Sequence, residues 1–344
     1  MKPSLHLPFS EPPAPGTTLE VAPGILWLRM PLPFVLNHIN LWLLRDGDGW
    51  VVVDTGFGLP DIQAIWETVL AGLDGTIAGI VVTHFHPDHL GLATWLQERS
   101  GAPLYMTAGE YLTGHAVWHE IGGHGTAPML AQFRLHGLDA ERCSALEQRG
   151  NGYRKGVPAM PQTYHRLFDG DTLEIGSRRW QIIVGHGHSP EHMSLYCADS
   201  NVLISGDMLL PKISTNISVY AVTPRDNALE HYLDSLTRFA RECSDESLVL
   251  PSHGLPFKGI RQRVDDLHGH HDERLAVLEE NCSEPRSAAE LLAALFPRAL
   301  DTHQTMFAMG EAIAHLNYLE QSGRLTCQQG ADGILRYVRK QTTH

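Results

Sequence analysis

Nowhere in the 344 residues do about 18 consecutive apolar side chains occur, which excludes a membrane-spanning helix by length. The opening MKPSLHLPFSEPPAPG has one lysine, an early proline and no continuous apolar core, so it does not read as a secretory signal. Cysteine is scarce: five residues, at 143, 197, 243, 282 and 327, form no C-x-x-C pair. The odd count and wide spacing exclude a disulfide framework and a zinc ribbon, and a cytoplasmic location is the simplest expectation. A surplus of positive charge is also missing. With 39 acidic and 26 basic side chains the net charge is −13, which disfavours a polyanionic partner, because nucleic-acid affinity rests on lysine and arginine neutralising phosphates. No internal repeat is visible. These absences leave a small-molecule substrate as the expected partner, with no membrane and no nucleic acid.

What is present is an ordinary hydrophobic fraction of 43%, enough for a buried core, and 21 histidines. Histidine is the commonest metal ligand and proton carrier near neutral pH. The length suggests one large domain plus a smaller one. Residues 1–20 are proline-rich and read as a loosely attached arm. The apolar runs Gly24–Met30, Ile39–Leu44 and Trp50–Val53, with an Asp46-Gly47-Asp48-Gly49 turn, read as a β-meander. Helices are predicted near 60–71 and 90–98, with a buried strand over 79–83 between them. Residues 109–162 are rich in glycine, proline and histidine and read as a helical insertion covering the cleft, with Trp118, Phe133 and Tyr153 as candidate lining. Three short strand-like runs follow at 180–184, 201–205 and 248–251, and an amphipathic helix over 227–243. Beyond Arg263 a charged helix, two further helices and a polar hairpin with turns at Gly330 and Asp332-Gly333 resemble a winged helix. The domains expected are therefore an arm (1–20), a catalytic domain (21–262) and a C-terminal winged-helix-like unit (263–344).

The chemistry lies in Thr83-His84-Phe85-His86-Pro87-Asp88-His89. Residues two apart on an extended segment point the same way, so His84 and His86 can converge on one point. The turn at Pro87 sends Asp88 and His89 to a neighbouring point. Unpaired ionisable groups this dense would be costly to bury without a shared purpose. Three more candidates follow the ends of apolar strands, each beside a glycine: His188, Asp207 and His253. Loops held by a rigid sheet are where catalytic groups collect.

This pattern, His84-x-His86-x-Asp88-His89 followed by His188, Asp207 and His253, resembles the metallo-β-lactamase-fold hydrolase superfamily over about residues 20–260. Its nearest subgroups are the glyoxalase-II-like and β-lactamase-like hydrolases with a winged-helix-like tail. Val51-Val52-Val53-Asp54-Thr55-Gly56 strengthens the resemblance, with Asp54 implied to support the ligands from behind. What the resemblance implies is an α+β fold, a four-layer αβ/βα sandwich. It implies one metal on His84, His86 and His188, a second on Asp88, His89 and His253, and Asp207 shared between them. The ions are expected to be Zn²⁺, with iron or manganese as alternatives. A hydroxide bridging two such ions is the expected nucleophile, with Asp88 as the catalytic residue that orients it or receives protons.

The expected reaction is cleavage of a thioester or ester, as in an acyl-CoA or acyl-glutathione. The alternatives are a phosphodiesterase of ribonuclease type and a lactonase. A tyrosine three residues after the shared aspartate would point to lactonases, but Leu210 stands there. Residues 287–344 set Arg298, Arg324, Arg336, Arg339 and Lys340 against Glu290, Asp301, Glu311, Glu320 and Asp332, which gives no net positive charge where a nucleic-acid-binding winged helix should show a basic face. That unit is expected to serve packing or homodimer formation. Asn216, Tyr220 and Lys258 are the candidate substrate contacts. His186 and His192, flanking His188, read as loop residues or groups that support the ligands, and His268, His270 and His271 as solvated.

Overall fold

The computed structural model describes residues 5–340. In chain order the elements are β1 (Thr18–Ala22), β2 (Ile25–Pro31), β3 (His38–Asp46), β4 (Gly49–Val53), α1 (Pro60–Gly72), β5 (Ile77–Val81), α2 (Pro87–Leu90), α3 (Ala93–Ser100) and β6 (Leu104–Met106). Helices α4 (Ala108–His119), α5 (Thr126–Leu135), α6 (Ala140–Arg149) and α7 (Tyr153–Gly156) come next. Then follow β7 (His165–Arg166), β8 (Thr172–Ile175), β9 (Arg178–Gly185), β10 (His192–Cys197), β11 (Val202–Gly206), α8 (Ala228–Glu242) and β12 (Leu248–Pro251). The chain ends in α9 (Ile260–Asn281), α10 (Ala288–Leu295), α11 (Thr302–Gln321), β13 (Leu325–Gln329) and β14 (Leu335–Arg339). No helix among the described residues is long and apolar enough to cross a membrane.

The chain forms two compact units. The first comprises residues up to Trp118, Gly152–Thr215 and Ser235–Val264. It holds a seven-stranded sheet in the order β1-β2-β3-β4-β5-β6-β7 and a five-stranded sheet in the order β12-β11-β10-β9-β8. Strand alternation explains how they join: Ile25, Trp27, Trp42, Leu44, Val51 and Val53 face inward from one sheet. They meet Trp180, Ile182, Met193, Leu195, Ile204 and Leu250 of the other in one buried cluster. The opposite faces of β3, β4 and β5 are also apolar and buried, and α1 contributes Ile62, Trp66 and Val69 to that layer. A sheet with both faces covered reads as near-continuous apolar runs, which is why these strands were legible.

Residues 1–4 of the expected arm lie outside the described residues, and from residue 5 onward the arm is not loose. Its His6 pairs with Lys258 in an isolated bridge, Phe9 packs edge-on against Trp27 with ring centroids 6.2 Å apart, and β1 extends the seven-stranded sheet. The loop after β12 doubles back so that Phe257 pairs with Val249, which carries Lys258 to the N-terminal ends of β11 and β12. There it lines a cavity of about 290 Å³ with Pro8, Phe9, Ser200 and Glu246. The predicted helix over 90–98 is two helices, α2 and α3, separated by Gly91 and Leu92. Gly91 has helical torsions, but a Cβ there would lie 2.4–2.5 Å from the carbonyl oxygens of Gly156, Pro87 and Gly56. Gly91→Ala is therefore expected to cost about 2–3 kcal/mol, as overpacking against unyielding backbone does. Equal urea midpoints for variant and wild type would contradict this.

The second unit comprises His119–Asn151, Asn216–Asp234 and the residues from Asp265 onward. Part of the insertion thus belongs with the C-terminal helices rather than with the sandwich. α6 packs on α11, α10 on α11, and Phe133 is buried, 3% exposed, so it is a core residue of this unit. The hairpin β13–β14 turns where Gly330 donates to the Ile334 carbonyl. Capping boxes at Ser287 and Asp301 start α10 and α11. His271 is not solvated: it is fully buried, with Nδ1 3.1 Å from Nε2 of His315.

Candidate metal centre

The C-terminal ends of β4, β5, β9, β11 and β12 lead directly into Asp54, His84, His188, Asp207 and His253. β4 runs parallel to β5, and β11 parallel to β12, so these ends lie on one edge of the first unit. All seven ligand candidates converge there. His84, His86 and His188 form one group, Asp88, His89 and His253 another, and His84, His89 and Asp207 a third, with ligand atoms within 4.8 Å in each.

The donor geometry fits metal ions better than direct bonding. His84 Nε2 lies 2.9 Å from His86 Nδ1 and 3.2 Å from His188 Nε2, so three ring nitrogens point at one another. His253 Nε2 lies 3.4 Å from Asp88 Oδ2 and 3.3 Å from Asp207 Oδ1. His89 Nε2 is 3.6 Å from both carboxylates. Atoms bound tetrahedrally at ordinary metal–ligand lengths stand about 3.4 Å apart. His89 Nε2 and Asp207 Oδ1 are buried with no hydrogen-bond partner, a state that a cation would relieve. Asp207 spans the groups: Oδ1 approaches His89 and His253, and Oδ2 lies 3.5 Å from His188 Nε2.

The outer contacts orient these atoms. Asp54 Oδ2 meets His89 Nδ1 at 2.8 Å, which leaves Nε2 directed inward. The same carboxylate accepts from the amide and hydroxyl of Thr83. Asp54 reaches this position with φ 63°, a left-handed conformation costing a non-glycine residue about 1–3 kcal/mol. His253 Nδ1 meets the His38 carbonyl at 2.8 Å, and His38 Nε2 accepts from the Gly254 amide. Of the two roles expected for His192, the contacts match the supporting one: its Nε2 accepts the Asp207 amide at 3.1 Å. A Cβ at Gly206 (φ +55°) would strike the His192 ring at 2.4 Å, so glycine lets the shared aspartate approach.

Electrostatics divide the cluster. Burial, then the neighbouring histidines, push His84 far below the ordinary range, and burial and His188 hold His86 at about 3. Burial opposes charge at His89 and His253 too, but there the carboxylates win: Asp54, Asp88 and Asp207 raise His89, and Asp207 and Asp88 hold His253 at about 10. Burial would raise Asp88, yet His89 and His253 bring it down to about 2. Burial and Arg29 lower His38 to about 4.

A family model of the metallo-beta-lactamase superfamily matches residues 35–253, and one of the metallo-beta-lactamase-like C-terminal domain matches 275–340. The chain belongs to the metallo-beta-lactamase superfamily. It is accordingly an enzyme, a metallo-hydrolase. A beta-lactamase domain protein from Burkholderia ambifaria is similar in structure at TM-score 0.91 and 45% identity, with 98% of each chain covered. The probable metallo-hydrolase YqjP of Bacillus subtilis is 22% identical over 312 residues, 88% of this chain and 94% of that protein. The acyl-coenzyme A thioesterase MBLAC2 of Bos taurus is 27% identical over 201 residues, 54% of this chain and 63% of that protein.

Of the substrate contacts expected from sequence, Lys258 is at the wrong end of the strands. Asn216 and Tyr220 belong to the second unit, where Asn216 accepts from Ser218 and Tyr220 lies 6.3 Å from His124. Sequence reasoning passed over His38 and Glu110, whose contacts join distant segments.

Proposed function

We propose that this chain is a dinuclear metal-dependent hydrolase of thioesters, acting on acyl-CoA or acyl-glutathione type substrates. The observation that carries the two-ion reading is the convergence of seven ligand side chains on paired points, with Asp207 shared between them. In this reading His84, His86 and His188 hold one ion and Asp88, His89 and His253 the other. Zn²⁺ is the ion a histidine-rich, thiolate-free set suits, with iron or manganese compatible. Two such ions would supply Lewis acidity at the scissile carbonyl and an acidified water.

The protein's own part is positioning and proton handling. Asp54 and the His38 carbonyl fix the Nδ1 sides of His89 and His253. Of the cluster's carboxylates, Asp88 is the most exposed, with a side chain 19% accessible against 11% for Asp207 and 2% for Asp54. It is therefore the one placed to hold the proton released by attacking water.

The leaving group favours a thioester. Burial holds His38 and His192, beside the cluster, below the ordinary range and so neutral at physiological pH, and His84, His86, His89, His188 and His253 are taken as ligands, so none of these is left as a protonated donor. A thiolate, whose parent thiol has a pKa of about 8.5, departs without one, whereas an alkoxide needs protonation. The relative named an acyl-coenzyme A thioesterase supports the same class. A nucleic-acid substrate finds no support in the C-terminal region, where Arg324 pairs with Glu279 and Arg336 with Asp332.

The test is a hydrolysis screen on metal-replete protein with acyl-CoA and acyl-glutathione thioesters, a phosphodiester reporter and a lactone panel. Thioester turnover that needs Asp207 supports the reading. Turnover confined to the phosphodiester or to lactones overturns the thioester class and keeps the hydrolase.

A further inference from the structure

Glu110 stands in the first turn of α4, fully buried, and makes no ion pair among the described contacts. Its carboxylate accepts three hydrogen bonds. Oε2 takes the Phe85 amide at 2.9 Å, between His84 and His86. Oε1 takes the Ser189 hydroxyl at 2.7 Å and the Glu191 amide at 2.6 Å, immediately after His188. One buried carboxylate thus ties together the two loops that carry the three-histidine group.

The surrounding contacts make this a clasp rather than a helix cap. The start of α4 is served by another residue: Glu191 Oε2 accepts the Gly109 amide at 2.7 Å, and the Thr107 hydroxyl donates to the Glu191 carbonyl at 2.9 Å. Gly109 leaves room for that approach: a Cβ would lie 2.8 Å from the Glu191 carboxyl carbon, and the Glu191 side chain would have to shift. Phe85 is held at both ends, its amide by Glu110 and its carbonyl by the Tyr153 hydroxyl at 2.5 Å. Among the described residues, the hydrogen bonds of Glu110 do not reach the Asp88–His89–His253 group, which has its own supports in Asp54 and His38.

We propose that Glu110 is a positioning residue that sets the separation of the His84–His86 and His188 loops, and so the affinity of the one ion those histidines share. This rests on the two-ion reading above. Carboxylates that orient ligands typically account for 10–100-fold in metal affinity. The isosteric Glu110→Gln removes the charge and puts a donor where one loop also donates.

The experiment titrates metal-stripped protein with Co²⁺, following visible absorption and heat. Wild type is expected to take up two ions. Glu110→Gln is expected to weaken one of them at least about tenfold and the other less than threefold, with a changed absorption band for the weakened ion. To assign the site, Glu110→Gln is added to Asp88→Ala, where the same loss is expected, and to His86→Ala, where the remaining ion is expected to keep its affinity. Ser189→Ala removes a single contact and is expected to shift the same site by less. Two ions bound by Glu110→Gln within threefold of wild type, or both weakened equally, overturn the proposal alone. Wild type binding fewer than two ions overturns the two-ion reading and the proposal with it.

Discussion

Asp207→Ala is expected to lower kcat/KM for the cleaved thioester by about 10⁴-fold or more, equivalent to about 5.5 kcal/mol of lost transition-state stabilisation. The reason is its position. Its two oxygens serve different groups, Oδ1 facing His89 and His253 and Oδ2 facing His188, so one truncation removes a ligand from both. Neither neighbour can replace it. Asp88 lies on the His253 side, and Asp54 is committed to Thr83 and His89. Asp207→Asn keeps shape and one oxygen but loses charge, and is expected to fall between the two, near 10²-fold. The fold should survive, because the strand β11 that carries Asp207 is set by Val202, Leu203 and Ile204, all buried in the core. Steady-state kinetics on metal-replete protein, with a melting curve for each variant, decide the matter. A kcat/KM for Asp207→Ala within tenfold of wild type would refute the shared-ligand role.

The candidate ligands could be picked out from sequence because they obey local rules. The spacing of two between His84 and His86 fixes their direction, and His188, Asp207 and His253 each follow an apolar strand and sit beside a glycine. The residues that hold those ligands follow no local rule. The contacts of Glu110 span 25, 79 and 81 residues, and the link from His253 to the His38 carbonyl spans 215. Nothing near Glu110 in the chain marks it, since an acidic residue in the first turn of a helix is ordinary.

Lys258 failed for a related reason. It follows His253 closely in sequence, but the intervening loop reverses along β12 and separates them by the length of the strand. Phe133 and His271 failed on burial. An amphipathic pattern announces an apolar face without naming what covers it, and the covering elements of the second unit come from three separated stretches of chain. The close packing at Gly91, between α2 and α3, depends on the backbones of Gly56 and Gly156, which no local pattern in the chain announces.

Metal removal should leave a thermodynamic signature with a definite sign. Stripping the ions with a chelator is expected to lower the melting midpoint by about 8–16 °C at pH 6.5, since two ions, each at a thousandfold excess over its Kd, add about 8 kcal/mol and each kcal/mol is worth about 1–2 °C in a chain of this length. The drop should be larger at pH 9. In the metal-free chain His253 is held at about 10, against 6.5 for the free side chain, because Asp207 and Asp88 outweigh its burial. A raised folded pKa contributes stability that is complete below pH 6.5 and is lost as pH rises through about 10. His89 is shifted in the same direction. Asp88, at about 2 against 3.8, contributes stability present above pH 3.8 and lost only as pH falls through about 2, so it does not alter the alkaline trend. The metal-free protein therefore weakens between pH 6.5 and 9. Over the same range the proton competes less with ions at His89 and His253, so the loaded protein tightens. Calorimetry at pH 7 in buffers of different ionisation enthalpy should then show proton release of about two on filling the Asp88–His89–His253 group. The His84–His86 pair is already proton-free, with His86 at about 3, and should contribute none. A gap between loaded and stripped midpoints that stays constant or narrows from pH 6.5 to 9 would mean that carboxylates do not hold protons on His253 and His89 in place of the ion.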